Sequence, residues 1–232
     1  MATSYDLQEQ EQLDSLKAFW NRWGTAITAL LLVLVLAWAG WTGWQWHLRN
    51  QGAKAAAVFD ELDRAATAGD AARAARIVAD LKQRFPDALV TQQGALVAAK
   101  AQADAGDATG AKATLGWAAE QAKEPEMRTL ARLRLSALHL EARQPEAALA
   151  ALEGATAPAF EALVADRRGD ALLAQGKPAE ARVAYERAFA AMDPKLELRA
   201  LVEAKLTSLG AAPAAPAASA AASGAAAAGG AK

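Results

Sequence analysis

Between Arg22 and Arg49 the chain carries no Asp, Glu, Lys or Arg. Inside that interval the segment TAITALLLVLVLAWAGW, residues 25–41, is almost wholly apolar. Such a stretch must be buried in a protein core or in lipid. In lipid it must bond every backbone polar group within itself, which a helix does. Read as a helix, residues 24–46 rise roughly 35 Å at ~1.5 Å per residue. The hydrocarbon core of a bilayer is about 30 Å thick. A single transmembrane helix is therefore expected over residues 24–46, with the lipid bilayer as its partner.

The tryptophans fit that reading. Of seven, only Trp117 lies far from the run. Trp20 and Trp23 stand at its entry, and Trp41, Trp44 and Trp46 at its exit, where an indole keeps its ring in apolar surroundings and its N–H near water. His47 marks the same exit. Trp38, Trp41 and Trp44 share one helical stripe. With Gly40 and Gly43 they offer an alternative use as a packing face for another membrane helix, although the spacing is GxxG rather than GxxxG. A stacking platform for a sugar or base lacks polar donors nearby. Ala37-Trp38-Ala39 matches a signal-peptidase site, but the first 22 residues hold four acids and two bases, unlike the short basic region of a signal peptide. A retained anchor is expected. Lys17 and Arg22 on one side nearly balance Arg49 and Lys54 on the other, so charge bias leaves orientation open.

Residues 1–23 have two readings. Leu13, Leu16, Trp20 and Trp23 fall on one helical face, as in an amphipathic helix at the membrane surface before the chain turns inward. The alternative is a solvated tail that begins to order near Leu13.

From residue 47 to 210 acidic and basic residues are nearly balanced and helical periodicity is continuous. It is interrupted at Gly69-Asp70, Gly106-Asp107, Arg143-Gln144-Pro145 and Gly176-Lys177-Pro178. The last unit, RGDALLAQGKPAEARVAYERAFAAMDP, places Gly169 where two helices cross and Gly176 in the turn. Ala181 opens the second helix, Tyr185 and Ala188 lie on its inner face, and Pro194 ends it. Small residues are needed there because paired helices approach to about 8–10 Å. This pattern is similar to the tetratricopeptide repeat. Stepping back, Ala181 aligns with Ala147, Ala111 and Ala74 at spacings of 34, 36 and 37 residues. Pro86, Pro125, Pro158 and Pro194 keep step, whereas Leu135 and Ala99 stand where the first helix wants glycine. The expected fold is all-α: one transmembrane helix followed by a tetratricopeptide-like helical-hairpin solenoid. Stacked hairpins complete one another's core and leave a surface suited to an extended peptide or unfolded client. Trp117 is expected in the core.

The chain has no cysteine, which excludes disulfides, thiol catalysis and cysteine metal sites. Two histidines, His47 and His139, cannot assemble a metal centre between them. The formal net charge of −1 gives no footprint for nucleic acid. No cofactor and no catalysis are expected. Arg167 and Arg168, in the cluster DRRGD, are candidate peptide contacts, with a solvated or paired helix face as the alternative. Residues 211–232 are low-complexity Ala/Pro/Ser/Gly and are expected to be disordered.

Three features stand together: YDLQEQEQLDSLKAFWNRWG, the single span directly after it, and degenerate repeats ending in LVADRRGDALLAQGKPAEAR. Together they resemble the ancillary subunit family of the bacterial Sec translocon, single-span proteins with a tetratricopeptide-like periplasmic domain. The resemblance covers residues 5 to 209. It implies an inner-membrane protein with a cytoplasmic N-terminus and a periplasmic C-terminal domain. Its implied partners are the Sec translocon and a membrane-anchored periplasmic chaperone of the prolyl-isomerase type. Its implied role is a scaffold assisting the folding or trafficking of secreted proteins. A repeat scaffold for another cell-envelope assembly machine, or a regulatory anchor, fits the same architecture.

Overall fold

The computed structural model of the chain describes residues 4–211, and side chains over 17–46 and 49–211. The expectations for the Ala/Pro tail, for the Leu13–Leu16 face and for the His47 side chain lie outside the described residues. The chain divides into two units, Met1–Lys54 and Ala55–Lys232. Among the described residues there are nine α-helices and no strand.

Helix α1 runs over Ser4–Thr67. No turn separates the expected surface segment 1–23 from the expected span, because nothing there breaks a helix: Gly24 is the first glycine and no proline occurs. The Trp20 indole covers the Gly24 backbone, within 3.2 Å of where a Cβ would stand. The Thr28 hydroxyl donates back to the Gly24 carbonyl at 2.7 Å. In the first unit Leu30 through Leu36 are all exposed. A core helix of a water-soluble protein would bury them. By length and composition this helix suffices to cross a membrane.

The second unit is a stack of hairpins. The end of α1 pairs with α2 (Ala71–Arg84), α3 (Leu89–Asp104) with α4 (Ala108–Gln121), and α5 (Pro125–Glu141) with α6 (Pro145–Ala151). Then α7 (Glu161–Ala174) pairs with α8 (Pro178–Ala191), and α9 (Glu197–Ser208) follows. Each hairpin turns by the same device. The second residue after the first helix adopts a left-handed backbone: Gly69, Gly106, Arg143 and Gly176, with φ of 73°, 84°, 56° and 74°. The next N–H then reaches five residues back, as Asp70 to Ala65 at 2.9 Å and Gln144 to His139 at 2.8 Å. This Schellman arrangement satisfies carbonyls that the helix end would otherwise orphan. The second helices start in two ways. Asp70 and Asp107 cap α2 and α4, accepting from Arg73 and Gly110 at 2.9 and 2.8 Å. Pro145 and Pro178 instead open α6 and α8, where a missing N–H costs nothing.

This geometry corrects the alignment of the third hairpin. Four residues after each cap lies a fully buried alanine: Ala74, Ala111, Ala148 and Ala181. The third is Ala148, not Ala147, so the true spacings are 37, 37 and 33. The first helix follows suit, since Ser136 rather than Leu135 lies seven residues before the turn and is buried. Helix α6 has 7 residues where α8 has 14.

The second helices end against side chains of a neighbouring first helix, or of α9: the following helix for α2, α4 and α8, and the preceding one, α5, for α6. Thr91 Oγ1 donates to the Phe85 carbonyl at 2.7 Å, and Arg128 to the Ala122 carbonyl at 2.8 Å. Arg132 donates to the Glu153 carbonyl, and Arg199 to the Met192 carbonyl at 2.8 Å. Apolar burial falls into two clusters. One runs from Ala55 to Ala131 and includes Leu62, Val78, Leu81 and Leu115. The other joins α7, α8 and α9 through Tyr185, Met192, Val202 and Leu206. Trp117 is partly buried against the first cluster, beneath the Lys82 ammonium at 5.1 Å from the ring centre. Burial lowers the Lys82 pKa.

Candidate functional site

The fourth hairpin brings together the residues singled out for helix packing. Ala181, Tyr185 and Ala188 are buried on α8, and the Tyr185 ring lies against Gly169 on α7. A Cβ on Gly169 would stand 2.5 Å from the Tyr185 ring, inside any permitted contact. The ring cannot retreat, because the Tyr185 hydroxyl donates to Asp170 Oδ1 at 2.8 Å. Lys205, on α9, donates to both Asp166 and Asp170 at 2.7 Å. Asp166 is only 5% exposed. Burial raises its carboxyl pKa against the opposing pull of the Lys205 hydrogen bond. Burial, and next the bond to Asp170, push the Tyr185 phenol well above its usual range. The phenol therefore stays protonated and both carboxylates are engaged, so the cluster clamps α9 onto the hairpin and leaves no group poised for proton transfer or attack. His139 lies apart, its Nδ1 3.0 Å from Gln144 Oε1.

The first helices of successive hairpins line a furrow. One hollow of about 430 Å³ has Leu130 and Leu133 of α5, Leu163 of α7, and Leu198 and Leu201 of α9 on its walls. A neighbouring hollow of about 350 Å³, against Ala99, Ala103 and Leu138, shares Arg134 and Ala137 with it. Leu201 is 51% exposed, which in a folded repeat leaves an apolar surface without cover. Arg134, Arg167 and Lys205 stand there against Asp166 and Asp170, with Arg167 and Lys205 paired to the aspartates, so the flank carries one positive charge in excess, that of Arg134.

Arg167 and Arg168 do not act as a pair. Successive helical residues point about 100° apart. Arg167 lines the furrow, with Asp170 at 3.5 Å. Arg168 lines a different cleft, between the α6–α7 connection and α8. Lys205 was not singled out from sequence, since its partners lie 39 and 35 residues away. A signal existed: Lys205 sits between Val202 and Leu206, at the edge of the apolar face of α9. Leu163 and Leu201 read as ordinary core residues until the neighbouring helices are in place.

On α1, Trp20, Trp23, Trp41, Trp44 and Trp46 are all exposed, as is Trp38. Trp23 and Trp44 are separated by roughly 32 Å of helix at ~1.5 Å per residue.

Stacked hairpins behind an apolar leading helix define a class, the helical-repeat proteins. A family model described as a tetratricopeptide repeat-like domain matches residues 17–211. The chain is 31% identical over 204 residues to the ancillary SecYEG translocon subunit of Neisseria gonorrhoeae, covering 88% of this chain and 98% of that protein. It is 28% identical over 189 residues to the protein of the same name from Haemophilus influenzae, covering 80% and 90%. The chain belongs to this family of ancillary SecYEG translocon subunits.

Proposed function

We propose that the protein is a non-catalytic scaffold, anchored in the bacterial inner membrane by residues 24–46 and associated with the Sec translocon. Trp20 and Trp23 sit at one membrane boundary and Trp41, Trp44 and Trp46 at the other. Residues 1–23 face the cytoplasm, residues 47–210 the periplasm, and residues 211–232 form a tail beyond the repeats. The repeat domain links the translocon to a membrane-anchored chaperone of the prolyl-isomerase type and assists folding or trafficking of exported proteins. The observation that carries this reading is the uncovered apolar furrow with its arginine flank, a surface built to receive a protein segment. The relatives' name, ancillary SecYEG translocon subunit, supports the choice of partner.

Photo-crosslinking in intact membranes tests it. A photoreactive residue at Leu201 or Leu163 is expected to yield adducts with a translocon subunit, the chaperone or an exported chain, and one at exposed Val183 to yield far fewer. Equal, non-specific labelling from all three sites would contradict a furrow-mediated role.

A further inference from the structure

Of the cations that line the two hollows of the furrow, all but one are matched by an acid. Lys205 holds Asp166 and Asp170, Arg167 stands beside Asp170, and Lys100 pairs with Asp104 one turn along α3. Arg134 has no ion pair among the described residues. The local sequence shows why: LARLRLSAL, residues 130–138, holds no acid within one turn of it on α5. Its guanidinium is nevertheless held in place, since Nη1 donates to the Leu96 carbonyl of α3 at 3.2 Å.

Arg134 and Ala137, one turn apart on α5, line both hollows. In the first hollow Leu130, Leu163 and Leu198 are half-buried and Leu201 is exposed. In the second, Ala103 and Leu138 are half-buried beside the buried Ala99 and Leu115. Incompletely covered apolar surface thus lies on both sides of an exposed, tethered and unpaired cation. An acid that arrives with apolar groups on both sides would pair with it and shield the pair from water, which strengthens the attraction.

We propose that the furrow selects, within the partner segment it receives, an acidic side chain flanked on either side by a large apolar one. This rests on the reading of the furrow as a surface for a protein segment, and adds what that segment must carry. In an extended chain alternate residues face the same way, so apolar–x–acid–x–apolar presents all three together. Its outer pair lies about 13 Å apart at ~3.3 Å per residue, enough to straddle one helix where packed helices stand about 8–10 Å apart. A phospholipid carries its charge at one end of its apolar body, which does not match a cation between two hollows.

The test uses the full chain in phosphatidylcholine nanodiscs and follows the methyl resonances of Leu201 and Leu138, one for each hollow. Acetyl-Ala-Leu-Ala-Glu-Ala-Leu-Ala-amide is expected to shift both saturably. Its glutamine counterpart is expected to bind about tenfold more weakly, the loss of roughly one charged hydrogen bond. A peptide with alanine for both leucines should shift neither. Arg134→Gln should weaken the glutamate peptide about tenfold and leave the glutamine peptide as it was, which a merely structural role for Arg134 would not do. The proposal is overturned by equal affinity for the glutamate and glutamine peptides, by shifts confined to one hollow, or by equal losses of both peptides in Arg134→Gln. Phosphatidylglycerol nanodiscs shifting both methyls without peptide would also overturn it, in favour of a lipid site. Crosslinks from Leu201 together with equal peptide affinities would strike this inference alone. Absence of both crosslinks and peptide binding would strike the furrow reading with it.

Discussion

The third and fourth hairpins start from the same plan and reach different ends. Both turn through a left-handed residue, both open the second helix with a proline, and both bury an alanine four residues past the cap. In the fourth, Gly169 admits a tyrosine, the tyrosine reaches an aspartate, and the aspartate reaches a lysine on the next helix. In the third, Leu152 stands where Tyr185 does and Ser136 where Gly169 does, and the helix stops one residue before Leu152. Tetratricopeptide-like periodicity thus fixes where hairpins turn. It does not fix how far each second helix runs: α2, α4 and α8 run for 14 residues and α6 for 7, and beside the short one lies a cleft.

The largest expected effect comes from the glycine that the clamp requires. Gly169→Ala pushes a methyl into a pinned ring and should destabilise the domain by about 3 kcal/mol, the cost of overpacking. Ser136→Ala, at the matching position, removes a buried hydroxyl that has no partner and should be neutral or slightly stabilising. Urea unfolding of both variants, followed by circular dichroism, gives the difference. Equal losses would mean that the Tyr185 ring does not restrict position 169.

Lys205→Met should cost about 2 kcal/mol at neutral pH, because it leaves Asp166 buried and charged without its cation. Asp166 already has a raised pKa in the folded chain. A carboxyl raised on folding favours the native state below its unfolded pKa, and that contribution is lost as pH rises through the folded value. Removing Lys205 raises it further. The gap between variant and parent should therefore be widest at neutral pH and narrow on acidification through the carboxylate range. Stability curves at several pH values would show this, and a gap independent of pH would exclude Asp166 as the affected group.

The smallest effect separates the two turns. Arg143 is the only non-glycine residue with positive φ among the described residues. Arg143→Gly should stabilise by about 1 kcal/mol, and Gly176→Ala should destabilise by about as much. Thermal unfolding midpoints should move in opposite directions.

Much of this was legible in the sequence. The Gly-Asp and X-X-Pro breaks located all four hairpin turns, because only a few residues suit a left-handed backbone or a helix's first position. The apolar run announced its helix because 26 residues without Asp, Glu, Lys or Arg leave few other uses. The third repeat misaligned because the match followed alanines, which are too common here to mark register. Pro145 and Pro178, 33 residues apart, carried the right spacing. The furrow and the ionic clamp were not legible. Each assembles residues from three or more helices, and no local pattern reports which apolar side chains remain uncovered after stacking.

The central claim is that residues 24–46 cross the membrane and place the repeats on its outer side. Fusions of alkaline phosphatase, active only after export, and of a reporter active only in the cytoplasm test it directly when joined after Gly210. Phosphatase activity with a silent cytoplasmic reporter is the predicted result. The reverse pattern would put the furrow and its partners in the cytoplasm and contradict the account.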